Sequence, residues 1–251
     1  MISQVALFAL AGFIGGIVNA AAGGAKLFVF PMLLAAGMPP LAANATGTIA
    51  LWPALLPAAW VLRADLLYKA RARFRTMIPG LAGAFFGAIA LIWSSEAAFL
   101  AAIPFLLLLA VGAILLGNRA ANLMRRLFPG DRLAAATGAL LFAVGFYGGY
   151  FGAGMGFMLI AVLSVAGGMG LREANANKVL FALCINTTAV IPLAFSGLVD
   201  WVAAAAVLIG GMSGGYLGAR LTQMVSEKVL RAAVASSGLL LTASFLMRQG
   251  G

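Results

Sequence analysis

The stretch GFIGGIVNAAAGGAKLFVFP, residues 12–31, decides how the chain is read: an apolar segment is interrupted at Gly23-Gly24 and then carries Lys26. No other charge occurs before Arg63. Glycine is a poor helix former, and backbone that unwinds at membrane depth persists only when it is buried in protein or lines a wet cavity. Two readings of the glycines compete. They either break the helix at such a site or let neighbouring helices pack closely.

Working outward, a 251-residue chain that is 64% hydrophobic and 9% charged, with mean hydropathy +1.09, cannot present a surface to water. It is an integral membrane protein. Spanning-length apolar runs recur without the alternation of a barrel strand, so the expected fold is an all-α polytopic bundle embedded in a lipid bilayer. The first twenty residues hold no Lys or Arg and read as a membrane segment rather than a signal peptide. The formal net charge of +10 comes from basic residues between the apolar segments, as the positive-inside effect predicts, so no nucleic-acid partner is expected. The single cysteine, Cys184, has no partner for a disulfide and reads as a packing residue.

The chain repeats itself. GFYGGYFGAGMGF (145–157) lies over residues 12–24, and at the same spacing Gly37, Ala43 and Asn44 fall on Gly170, Ala176 and Asn177. With a two-residue shift, Gly80, Gly83 and Gly87 fall on Gly211, Gly214 and Gly218, and Ser95-Glu96 falls on Ser226-Glu227. The expected organisation is therefore two transmembrane repeats, 1–132 and 133–251, in one membrane domain. Each is an interrupted or re-entrant helix followed by three transmembrane helices, with spans expected near 42–62, 77–93, 97–116, 175–195, 201–219 and 229–247. Pro53 and Pro57 should kink the first of these. Trp52, Trp60, Trp93 and Trp201 read as interfacial anchors.

Orientation depends on the interrupted segments. If each crosses once, the repeats are parallel and Arg172, Lys178, Arg220, Lys228 and Arg231 lie outside. If each crosses an even number of times, the repeats are inverted, nearly every basic residue is cytoplasmic, and Glu96 and Asp200 mark short external loops. The charge distribution favours two inverted repeats with both termini external.

Lys26 stands where the helix after the break begins, at the positive end of its dipole. A cation there is explained by a neighbouring anion, or by snorkelling if the residue lies near an interface. Around it the candidate binding residues for a small anionic substrate are Asn19, Gly23, Gly24, Asn44 and Thr46, with Gly154, Gly156, Asn175, Asn177 and Lys178 in the second repeat. Neutral amides and hydroxyls can desolvate an anion without adding counter-charge. Asn44 and Asn175 have a competing reading as helix N-caps. Paired glycines at 83/87 and 214/218 have the small-xxx-small spacing expected to pack the repeats together.

All six carboxylates fall in or near expected loops, and the chain has no histidine. The usual side-chain proton relay is missing, while an inside-negative potential favours anion efflux by about 2.3 kcal/mol per charge per 100 mV. The same absences leave no hydrolase nucleophile and base, no aspartyl pair and no metal-ligand set, so no enzyme and no cofactor is expected. No feature indicates an oligomeric state.

Four segments then carry a family resemblance: AGGAKLFVFPMLLAAGMPPLAANATG (22–47), GFYGGYFGAGMGFMLI (145–160), REANANKVL (172–180) and GLVDW with GGYLGARL (197–201, 214–221). Together they resemble the sulfite exporter TauE/SafE family over nearly the whole chain. The resemblance implies export of sulfite, an organosulfonate or a related small anion by a helical carrier of the bacterial inner membrane. Ala25 and Lys26 depart from it where the family continues its glycine run. The expected function is secondary transport of a small sulfur-containing anion; an anion channel or a carrier of another organic anion is the alternative.

Overall fold

The computed structural model describes residues 2–22, 24–61, 70–127, 132–166 and 171–221, together with separate positions between 232 and 247. Every element among the described residues is a helix. The first half contains α1 (Ile2–Ala22), α2 (Lys26–Ala35), α3 (Pro40–Leu51), α4 (Leu55–Val61), α5 (Ala70–Trp93) and α6 (Glu96–Leu127). The second contains α7 (Arg132–Tyr150), α8 (Met155–Ala166), α9 (Leu171–Ala194) and α10 (Trp201–Leu221). Among the described residues, four apolar stretches are long enough to cross a bilayer: Phe74–Trp93, Glu96–Leu116, Asn177–Ala194 and Trp201–Gly218. The chain is a polytopic helical membrane protein.

α2 folds back along α1. In one straight helix Gly15 and Val29 would stand about 21 Å apart, yet a Cβ on Gly15 would meet Val29 Cγ2 at 2.4 Å. The segment is thus re-entrant in shape. α2 then ends in a Schellman motif, with Gly37 N–H donating to Leu34 and Met38 N–H to Leu33, and Gly37 left-handed at φ +88°. Pro39-Pro40 prevents the helix from resuming and starts α3 with Pro at its first turn. α3 returns along α2, with Gly47 against Val29 and Leu33.

The span expected at 42–62 is divided, not merely kinked. Pro53 supplies no N–H, and the chain leaves the helix at residues 52–54 before α4 begins. Trp52 is no interfacial anchor: it is half-buried and its Nε1–H donates to Thr187 Oγ1 at 2.9 Å, tying the break to α9. Trp60, Trp93 and Trp201 are exposed near helix ends, as anchors are.

Two seams of glycine hold the bundle together, and each joins one half to the other. A Cβ on Gly12 would lie 2.0 Å from the Val207 carbonyl oxygen, and one on Gly16 2.2 Å from that of Gly211. Along α5 and α7, a Cβ on Gly83 would run into the Phe142 carbonyl, one on Gly145 into that of Gly80 and one on Gly149 into that of Ala84. Backbones approach this closely only where no side chain intervenes. Residue numbers rise together along both seams, so α1 runs parallel to α10 and α5 parallel to α7.

α3 relates the ends of these pairs. The N–H of Leu41 donates to Glu96 Oε2, at the link where α5 gives way to α6, and Thr46 Oγ1 accepts from Asp200 N–H, just before α10. One end of the bundle therefore gathers the end of α5 and the start of α10.

Candidate functional site

The two breaks meet inside the bundle. Lys26, the first residue of α2, is 8% exposed, and its Nζ donates to Thr48 Oγ1 at 2.5 Å while lying 5.7 Å from the centre of the Phe151 ring. Phe151 follows α7 directly and opens the second break. The inward path of Lys26 excludes snorkelling. Among the described residues no carboxylate pairs with it. Burying an unpaired ammonium is costly, and a hydroxyl with an aromatic face offsets only part of that cost.

Thr48 is held with a fixed polarity. Its hydroxyl donates to the Asn44 carbonyl at 2.8 Å, one turn earlier, so the oxygen is left to accept from Lys26. Asn44 and Thr48, four apart, share a face of α3. Asn44 is fully buried and its Nδ2 donates to the Tyr150 carbonyl at 2.8 Å, an acceptor freed where α7 ends. Its Oδ1 has no hydrogen-bond partner among the described residues.

The second break is built from glycine and aromatic rings. Phe151 and Gly152 both donate to the Tyr147 carbonyl, winding the chain out of α7, and Gly152 and Gly154 are left-handed at φ +80° and +71°. Only glycine adopts such angles without strain. The Tyr147 hydroxyl donates to the Ala153 carbonyl at 2.5 Å, pinning the turn. Phe151 packs edge-on against Phe30 of α2, at 5.4 Å between ring centres, so aromatic contacts join the breaks as well.

Of the residues expected at the site, Lys26 and Asn44 come together with Tyr150 and Phe151. Gly24 is buried beside Lys26, and its carbonyl accepts the first bond of α2, from Leu27. Thr46 does not join them: two residues from Asn44 is 200° around the helix, and its hydroxyl oxygen accepts from Asp200 N–H. Asn19 is half-buried in the last turn of α1. Gly23 lies outside the described residues. Gly154 belongs to the second break, but Gly156 sits within α8, where a Cβ would meet Lys178 Cδ at 3.3 Å. The stem of Lys178 thus runs along the start of α8. Asn177 is 1% exposed on α9, and the side chain of Asn175 is not described.

Two expectations need correcting. Asn44 and Asn175 are not N-caps: each is the fifth residue of its helix, and α3 is instead capped by the Glu96 carboxylate. The N–H groups after the first break are also largely committed, because Leu27 and Phe28 donate to Gly24 and Ala25 at 3.0 Å. At the second, Phe157 donates to Gly154 at 3.0 Å. Tight first turns consume the donors an anion would use, which leaves side-chain groups, Lys26 foremost, as the donors still available there. Residue type alone gave no sign of Tyr150 or Tyr147, although both lie inside the glycine-aromatic stretch that repeats the first break.

Related proteins agree with a membrane transporter. A "Probable membrane transporter protein" of Haemophilus influenzae is 26% identical over 99% of this chain and 97% of its own. "Probable membrane transporter protein YfcA" of Escherichia coli K12 is 28% identical, over 96% of this chain and 88% of its own length. A Sinorhizobium protein named "Probable membrane transporter protein ORF9" is 27% identical over 90% of this chain and 86% of its own. No solved structure matches the chain. The family model described as Sulfite exporter TauE/SafE matches residues 8–245, from the first turns of α1 into the last segment, and so takes in both breaks and both glycine seams. The chain belongs to the sulfite exporter TauE/SafE family.

Proposed function

We propose that the protein is a secondary transporter that exports a small sulfur-containing anion, sulfite or an organosulfonate, across the bacterial inner membrane from a site at Lys26. The observation that carries this reading is an ammonium buried among apolar and aromatic groups with no carboxylate beside it among the described residues. A bound anion supplies the missing charge, and its release recreates an unfavourable state that limits how tightly the protein can hold it.

We further propose that the halves 1–132 and 133–251 are inverted repeats. In support, α1 runs with α10 and α5 with α7, while the end of α5 and the start of α10 lie together beside α3. α1 and its counterpart α7 then run in opposite directions. The end with Glu96 and Asp200 faces outward, and the end with Arg71, Arg73, Arg75, Arg125 and Arg126 faces the cytoplasm. The glycine seams suggest that α1 with α10, and α5 with α7, move as units around Lys26, rather than one sequence half rocking against the other.

Flux of sulfite and small sulfonates in proteoliposomes tests the site. Lys26→Met, close in length and uncharged, should lower anion flux by about a hundredfold or more, in line with losing a charged hydrogen-bond partner of about 3 kcal/mol. Unchanged flux in a well-folded variant overturns the assignment. Saturation and counterflow are expected of a carrier; flux linear in concentration favours the channel reading.

A further inference from the structure

We infer that the anion bound at Lys26 carries a hydrogen-bond donor of its own, an O–H or N–H, and that Asn44 Oδ1 receives it. This rests on the anion-transport reading and narrows its substrate class to monoanions bearing a proton on oxygen or nitrogen. A hydrogen-oxyanion or a hydroxyl-substituted sulfonate qualifies.

The argument follows from which hydrogen-bonding functions are spent. The orientation of the Asn44 amide is fixed by chemistry: the group facing the Tyr150 carbonyl must be a donor, so it is Nδ2, and the oxygen points elsewhere. That oxygen is buried and unmatched among the described residues. Thr48 cannot serve it, because its one proton goes to the Asn44 carbonyl. Lys26 does not serve it either: its one hydrogen bond among the described residues goes to Thr48, and Asn44 Oδ1 stays without a partner, although two N–H groups of the ammonium remain to give. What remains is an ammonium with N–H groups to give and an amide oxygen with lone pairs to fill. Both are bracketed by one turn of α3 and by Tyr150-Phe151.

These demands are opposite in sign. A halide or a fully deprotonated oxyanion answers the ammonium but sets a lone pair against Asn44 Oδ1. An apolar group there leaves the acceptor buried and unsatisfied, which is the expensive outcome for a polar atom. Only an anion that also donates satisfies both. A site built around a buried acceptor rejects the analogue lacking the donor more strongly than an apolar pocket rejects a change of size.

Two matched pairs test this in the reconstituted full-length chain: hydroxymethanesulfonate against ethanesulfonate, and glycolate against propionate. Within each pair charge and size match and only O–H replaces CH3. The hydroxylated member should compete for sulfite flux on the order of tenfold to a hundredfold better. Asn44→Leu should bring that ratio toward one, whereas Lys26→Met should weaken both members together. Equal competition by both members in the wild-type protein, with both lost on Lys26→Met, overturns the donor rule and leaves the anion site standing. Competition by neither, with flux indifferent to Lys26→Met, overturns the anion reading and this inference with it. The wild-type comparison decides even if Asn44→Leu fails to fold.

Discussion

At the first break the chain leaves α1 at Ala22 and is helical again by Lys26, with Ala25 already right-handed at φ −45°. At the second it needs two left-handed glycines, a shared carbonyl at Tyr147 and a tyrosine hydroxyl to complete the turn. The first break contributes a charge and the second contributes geometry and rings. Neither makes a site alone. Lys26 acquires its surroundings only where Tyr150 and Phe151 arrive, and Leu159, which falls on Lys26 when residues 145–157 are laid over 12–24, is fully buried. On the proposed repeat organisation, one half supplies the charge and the other frames it.

The most severe way to test that division is to make the halves alike. Leu159→Lys places an ammonium in a fully buried position, and a loss on the order of 3–5 kcal/mol is expected for an uncompensated buried charge. Thermal unfolding in detergent reads it, and a variant as stable as the wild type would mean the breaks are interchangeable. Next in size is Gly154→Ala, which forces φ +71° on a residue with a Cβ and pushes that atom to 3.2 Å from Ala110. About 2 kcal/mol of destabilisation should follow, seen in the same unfolding measurement. Smallest is Tyr147→Phe, which removes the hydroxyl donated to Ala153 and should cost about 1 kcal/mol with anion selectivity intact. A change in selectivity there would show that the second break reads the anion as well as framing it.

The helices and the breaks were legible because hydropathy and glycine placement are local properties of a sequence. The glycines at 83, 87 and 214 were legible as packing residues, since small-xxx-small spacing carries its own cause, whereas those at 12, 16 and 145 were read only as part of the repeat. Lys26 could be singled out because a lone charge in an apolar run demands an explanation. Its partners could not be read in the same way. Asn44 bonds a backbone carbonyl at position 150, and every residue has such a carbonyl, so residue type gives no signal. Thr46 and Thr48 look equivalent in sequence, yet helical geometry sends one toward Lys26 and the other toward Asp200. Trp52 was read as an anchor along with the other tryptophans, because tryptophan in a membrane protein often is one, but the proline next to it opens a break that turns the indole inward.

The seam between α1 and α10 has a consequence for the timing of synthesis. Gly12 is made early and Val207 late, and at about 5–20 residues per second the ribosome takes roughly ten to forty seconds to supply the second after the first. During that interval α1 presents a glycine-lined strip of bare backbone to lipid, or to whatever accompanies it at the insertion site. The seam can close only when most of this stretch has entered the membrane, so α1, made well before its partner, is among the last of these helices to find its place.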